Sequence, residues 1–227
     1  INNNEPCQDS GGRVWETERR EIARLIDLIN NDSQSHTPTE MESNMAMAYA
    51  VGQRSTCLKR HVGAVIVDGY GNIFSSGYNE VPWSEKPCLS EYGNCFRDIK
   101  RKEFLSDLHR EFPADREGEW FKVENLFKER WKVLDICRAL HGEERAILNL
   151  VQSGGILHNK DITLYTTTYP CNLCANKIVQ IGIKKIVYFE PYPVQDAKIT
   201  LSNNNVKQEM FTGVTFNSYF KFFGRRV

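Results

Sequence analysis

The sequence has no surplus charge of either sign: 29 lysines and arginines face 29 aspartates and glutamates over 227 residues. Non-specific affinity for nucleic acid comes mostly from an excess of cations, so a long polynucleotide is not expected as a substrate. No apolar run approaches the roughly 20 residues of a membrane span, and no signal-peptide pattern opens the chain. Both absences point to the cytoplasm. The seven cysteines are an odd number, which suits a reducing compartment where thiols hold metal better than it suits a disulfide framework. No internal repeat is visible. The chain does not begin with methionine, and residues 1–12 are polar and poorly patterned, as expected of a piece cut from a longer polypeptide. What remains, 41% hydrophobic and 26% charged, is enough to bury a core, in one large domain or a domain with an elaborated periphery.

Hydrophobic spacing predicts an amphipathic helix over residues 14–31 through Ile22, Leu25, Ile26 and Ile29, a packing or oligomer-contact element. Thr37-Pro38-Thr39-Glu40 reads as a capping box that starts a helix to about Arg54, with Met41, Met45 and Met47 as core filler. Residues 62–68 and 72–78, joined by Gly69-Tyr70-Gly71, read as a β-hairpin closed by Gly77-Tyr78-Asn79. Cys88 and Cys95 fall in a polar loop, followed by a charged helical pattern over residues 98–110 and a further helix over 117–128. A longer helical segment over 131–153 holds His141 and Glu143 and ends at Gly154-Gly155. Residues 162–167, 171–182 and 185–190 form a β-α-β unit with parallel strands. Beyond Pro193 the pattern is mixed. Phe216, Tyr219, Phe220, Phe222 and Phe223 are expected to cover the sheet or an oligomer interface rather than stack on bases.

Pro170-Cys171-Asn172-Leu173-Cys174 sets two thiols one helical turn apart, and His141, about thirty residues upstream, adds an imidazole. Three such ligands suit tetrahedral zinc and leave the fourth position for water. Glu143 is near enough to reach that water without binding metal, which makes it the candidate proton shuttle. A lone Cys-x-x-Cys equally describes half a zinc ribbon or a redox pair, and a lone His-x-Glu describes ordinary helix surface. The two in order, with proline before the first cysteine, make the zinc-deaminase signature. Cys171 is expected to open its helix, where unpaired N–H groups favour the thiolate.

On these residues the chain resembles the deoxycytidylate deaminase branch of the cytidine deaminase superfamily. The resemblance extends over Arg54-Ser55-Thr56-Cys57, Val62 to Val67, Gly77-Tyr78-Asn79, Cys137 to Glu144, Pro170 to Cys174 and Gly182 to Tyr188. More narrowly, the chain resembles the C-terminal deaminase part of bacterial anti-phage nucleotide deaminases, which carry an N-terminal P-loop domain and deplete dCTP or dCMP. The resemblance implies a three-layer α/β fold with a mixed sheet of about five strands flanked by helices. It also implies a polar segment and helix over 1–36 as the end of a linker, then a catalytic domain over 37–227 with an inserted segment 96–136.

The implied chemistry is hydrolytic deamination of dCMP or dCTP at C4 of cytosine, with Glu143 moving the protons and His141, Cys171 and Cys174 holding the catalytic zinc. Asn79 is then expected at the deoxyribose, Gly142 at the base and Tyr169 beside the pocket. Arg54, Lys59 and Arg60 are candidate phosphate contacts by their position near the hairpin. Relatives place ligands of an extra zinc at positions matching Cys57, Cys88, Cys95 and Cys137, so a second, closed structural zinc is expected there, with His109 a replacement for one of them. Cys7 reads as a free thiol. Relatives usually carry alanine where this chain has Gly142, a change that keeps the backbone N–H. They are commonly homo-oligomers, often hexamers, and an upstream regulatory domain or an RNA is expected to restrain activity. Two other readings share the zinc motif: a polynucleotide cytidine or adenosine deaminase, against which the neutral charge speaks, and a non-catalytic zinc-stabilised nucleotide-binding domain, against which Glu143 speaks.

Overall fold

The computed structural model describes residues 13–30, 36–111, 121–126, 136–154, 161–192 and 195–224. In chain order the elements are α1 (Arg13–Asn30), α2 (Glu40–Gly52), β1 (Gly63–Val67), β2 (Ile73–Tyr78), α3 (Cys88–Tyr92), α4 (Phe96–Glu111) and α5 (121–126). They continue with α6 (Gly142–Gln152), β3 (Thr163–Thr168), α7 (Asn172–Ile181), β4 (Lys185–Glu190), α8 (Gln195–Asn203), β5 (Lys207–Met210) and α9 (Phe216–Phe223). The chain divides into two compact units, one of residues 1–46 with 211–227 and the other Met47–Met210.

The larger unit is built on a five-stranded mixed sheet in the order β2-β1-β3-β4-β5. β1 pairs antiparallel with β2 and β3, while β3-β4 and β4-β5 are parallel. All five residues of β1 are buried, as expected of a strand covered on both faces. Ala64 and Ile66 turn to one face and join Ala146, Ile147 and Leu150 of α6, Ala175 and Ile178 of α7, and Ala197 and Leu201 of α8. On the other face lies the second half of α2, where a Cβ on Gly63 would fall 1.8 Å from the Ala48 carbonyl oxygen. Gly77 has the same role beneath α6, since a Cβ there would meet the Ala146 nitrogen at 2.2 Å. These two glycines let helices close directly on the sheet. No helix among the described residues is long and apolar enough to cross a membrane.

In the smaller unit, buried Glu42 accepts hydrogen bonds from Arg24 Nη2 (2.5 Å) and from the backbone N–H groups of Thr39 (2.8 Å) and Val214 (2.7 Å). The Glu42 amide in turn donates to Thr39 Oγ1. The capping box is therefore Thr39 with Glu42, two residues beyond the Thr37 and Glu40 expected from sequence. The aromatic run of α9 forms an internal ladder, Phe216–Phe220 and Tyr219–Phe223.

The structure corrects two further expectations and resolves a third region. Residues 137–141 are not helical: Leu140 exchanges backbone hydrogen bonds with Glu80, so α6 begins only at Gly142. Cys88 opens the short helix α3 rather than lying in a loop. The mixed region after Pro193 holds α8 and the edge strand β5. The helix expected over 117–128 is described only at 121–126, and Cys7 lies outside the described residues.

Candidate active site

Two helix N-termini meet where the parallel strands β3 and β4 end, the place where open α/β sheets gather their ligands. His141 is the N-cap of α6 and Cys171 the N-cap of α7, with Cys174 one turn further on. His141 Nδ1 lies 3.2 Å from Cys171 Sγ and 3.4 Å from Cys174 Sγ. Among the described residues these three form the one group of three or more metal-binding side chains whose ligand atoms lie within 4.8 Å of one another. Two thiols and an imidazole, all aimed at one point, are a donor set zinc takes.

The local sequence explains the convergence. Pro170 and the extended backbone of Cys171 stop β3 from running into α7, and the Glu80–Leu140 bridge holds the approach to α6 extended until His141. Glu144 accepts from the His141 amide at 3.3 Å and pairs with Lys177 of α7 at 3.0 Å, so one carboxylate ties the two ligand helices together.

Glu143, 4% exposed, lies 3.7 Å from Cys174 Sγ. Burial pushes its carboxyl above the usual range. Cys171 is the thiolate of the pair, pushed down to about 4 by the hydrogen bond from Cys174 and by His141, while Cys174 is held protonated above the ordinary thiol range. The hydrogen bond between His141 Nδ1 and Cys171 Sγ in turn raises the His141 pKa.

His141, Cys171 and Glu143 line a cavity of about 450 Å³, within the range of small-molecule sites, and Cys174 is fully buried behind them. Asn79, Gly142, Tyr169, Lys59 and Arg60 line it as well, five residues brought together from four segments of chain. Asn79 is already half engaged: its Nδ2 donates to the Arg60 carbonyl and its Oδ1 accepts from Val62 N–H, both at 2.7 Å. Tyr169 donates its hydroxyl to Gln208 Oε1 at 2.5 Å, and burial pushes its pKa up to about 12. Arg54 is not among the lining residues; its guanidinium stacks 4.9 Å over the Tyr78 ring. Arg97, which nothing in its run of charges singles out, does line the cavity, as do Thr168 and Tyr192.

Cys57, Cys88, Cys95 and Cys137 all line a second cavity of about 30 Å³, although no three of them meet the spacing of the triad. His109, near the end of α4, is not among the residues lining it. Burial raises the Cys137 thiol.

Comparison with known proteins bears on this site. Residues 38–190 match the profile described as "Cytidine and deoxycytidylate deaminase zinc-binding region". Deoxycytidylate deaminase of Enterobacteria phage T4 is 32% identical over 152 residues, which is 65% of this chain and 76% of that one. The Schizosaccharomyces pombe deoxycytidylate deaminase is 30% identical over 194 residues, or 78% of this chain, but the match spans only 50% of the yeast protein. The chain thus spans about half the length of some curated relatives. The crystal structure of dCMP deaminase from cyanophage S-TIM5, in complex with dCMP and dUMP, shares the fold with a TM-score of 0.52 and 23% identity, covering 78% of this chain and all of that one. The profile's zinc-binding region and the His141–Cys171–Cys174 donor set together support zinc as the cofactor, and the chain belongs to the cytidine and deoxycytidylate deaminase family.

Proposed function

We propose that this chain is the catalytic part of a zinc-dependent hydrolase that deaminates free deoxycytidine nucleotides, dCMP or dCTP, to their deoxyuridine counterparts. The observation that carries this reading is the buried Glu143 carboxylate beside the His141–Cys171–Cys174 triad on the wall of a nucleotide-sized cavity. Zinc held there supplies the Lewis acidity that makes water acidic near neutral pH. Glu143 would take one proton from the attacking water and deliver it to ring N3, then carry the remaining proton of the new C4 hydroxyl to the amine, which leaves as ammonia. Its burial favours the protonated form, which suits a group that must both accept and release a proton in each turnover.

Gly142 N–H, one of the unpaired donors at the N-terminus of α6, holds the base carbonyl in this reading. Asn79 keeps one N–H and one lone pair for a deoxyribose hydroxyl after its two backbone bonds are made. Tyr169, with its hydroxyl engaged by Gln208, offers the base a fixed ring edge. The four cysteines around the small cavity support a second, structural zinc. The narrower form of the proposal is a cytoplasmic homo-oligomer that drains the deoxycytidine nucleotide pool in anti-phage defence, restrained by an upstream domain or an RNA.

Ammonia release and product identity, measured on zinc-loaded protein with dCMP, dCTP, CMP and cytidine given separately, test the reading. Turnover of dCTP supports the pool-draining role, and turnover of dCMP alone restricts the enzyme to monophosphate metabolism. Inactivity on all four overturns it.

A further inference from the structure

Three cations line the cavity, and the structure distinguishes them. Lys59 forms an ion pair with Asp98. Arg60 faces Glu190 at 3.7 Å and lies over the Tyr192 ring at 5.4 Å, with its carbonyl held by Asn79. Arg97 has neither: among the described residues no carboxylate pairs with it. A half-buried guanidinium without a counter-ion, on the wall of the cavity that His141, Glu143 and Cys171 also line, is a binding group awaiting an anion.

Its placement is built in from both sides. Arg97 is the second residue of α4, and the next residue, Asp98, is the one Lys59 grips. Ahead of it, Cys95 is buried with its amide capped by Asn94, and Phe96 packs against Tyr92 beneath the Arg138 guanidinium. Arg138 in turn bridges Glu85 and Glu91. The first turn of α4 is therefore fixed against three neighbouring segments, and Arg97 is carried at the cavity wall by a rigid element, as specific recognition of a planar or tetrahedral oxyanion requires.

We propose that Arg97 is the specificity-determining residue for the 5′-phosphate, the group that makes this site prefer a deoxycytidine nucleotide to the nucleoside. Lys59 and Arg60, the cations the hairpin position suggests, act chiefly on the protein: Lys59 orients α4 and Arg60 closes the wall against Tyr192. The cavity cations and their two acidic partners leave a surplus of one positive charge, and Arg97 carries it. The inserted segment 96–136 thereby contributes a substrate contact. This inference rests on the nucleotide deaminase reading, and the experiment separates the two.

Steady-state kinetics and binding titrations compare dCMP with deoxycytidine for the zinc-loaded wild type, R97Q and R97K, with binding read on an E143Q background so that no turnover intervenes. R97Q is expected to weaken dCMP at least tenfold in KM and Kd while leaving deoxycytidine within twofold; R97K, which keeps the charge but loses the fork, is expected to fall between. Equal preference for dCMP over deoxycytidine in wild type and R97Q overturns the role of Arg97 alone. A wild type that neither binds nor turns over dCMP overturns the nucleotide reading and the inference with it. Unchanged thermal unfolding of R97Q shows that the loss is one of recognition and not of folding.

Discussion

The Val62 carbonyl oxygen lies 2.7 Å from the point where residue 142 would carry a Cβ. Gly142 therefore allows a close approach of the segment before β1 to the N-terminus of α6. That segment cannot easily retreat, because Val62 N–H donates to Asn79 Oδ1 and Val62 O accepts from Asn79 N–H. Gly142→Ala gains at most about 1 kcal/mol of helix propensity against about 1–3 kcal/mol of overpacking. The variant is expected to lose stability in urea and to raise KM, since the displaced loop lines the cavity. A variant more stable than wild type would show that the loop moves freely.

Glu143→Gln removes the group that carries protons but keeps its shape and burial. Zinc content is expected to stay at the wild-type level while kcat falls by at least about 10²–10⁴. Metal analysis and turnover on the same preparation check both halves, and activity within threefold of wild type would remove Glu143 from its assigned part.

Metal removal exposes the asymmetry of the two thiols. With Cys171 pushed down to about 4 and Cys174 held up, the chelated protein should be alkylated at Cys171 first near pH 6, where ordinary thiols are protonated. Zinc should protect that site. Peptide mapping that finds Cys57 or Cys137 modified ahead of Cys171 would contradict the assignment.

In the smaller unit, burial alone would raise the Glu42 carboxyl, but Arg24 and the N–H groups of Thr39 and Val214 outweigh it and hold it below the usual range. A carboxylate lowered on folding stabilises fully above its unfolded value of about 4.3, and that contribution is lost as pH falls through the lower folded value. Glu42→Gln is expected to cost about 1–3 kcal/mol at neutral pH and to flatten the acid limb. Equilibrium urea unfolding at several pH values between about 7 and 3 measures both, and parallel pH profiles for wild type and variant would refute the linkage.

Much of this site was legible in one dimension because its chemistry sits at helix starts. His141, Glu143, Cys171 and Cys174 are each within four residues of a helix N-terminus, so short spacings in sequence become fixed distances in space. The β1-β2 hairpin and the β3-α7-β4 unit were readable for the same reason, since alternation and turn residues act over a few positions. The capping box was misplaced by two residues because Thr37 and Thr39 both satisfy the local pattern. The competition is decided by Glu42, which also receives Arg24 and Val214 from far along the chain. The start of α6 was misplaced because Leu140 spends its hydrogen bonds on Glu80, sixty residues upstream. β5 is not legible in sequence because an edge strand of four partly exposed residues, Lys207-Gln208-Glu209-Met210, needs no apolar alternation.

The sequence by itself determined the grouping of His141, Cys171 and Cys174, the glutamate beside them and the α/β framework, because those depend on residue type and short-range periodicity. Only the tertiary structure decided which cations serve the cavity. Arg54 stacks on Tyr78 and is not among the lining residues, Lys59 is consumed by Asp98, and Arg97 emerges from a run of charges as the unmatched one. The physical reason is that a charge acquires its role from its counter-ions and its burial, and both are set by segments brought together only when the chain folds.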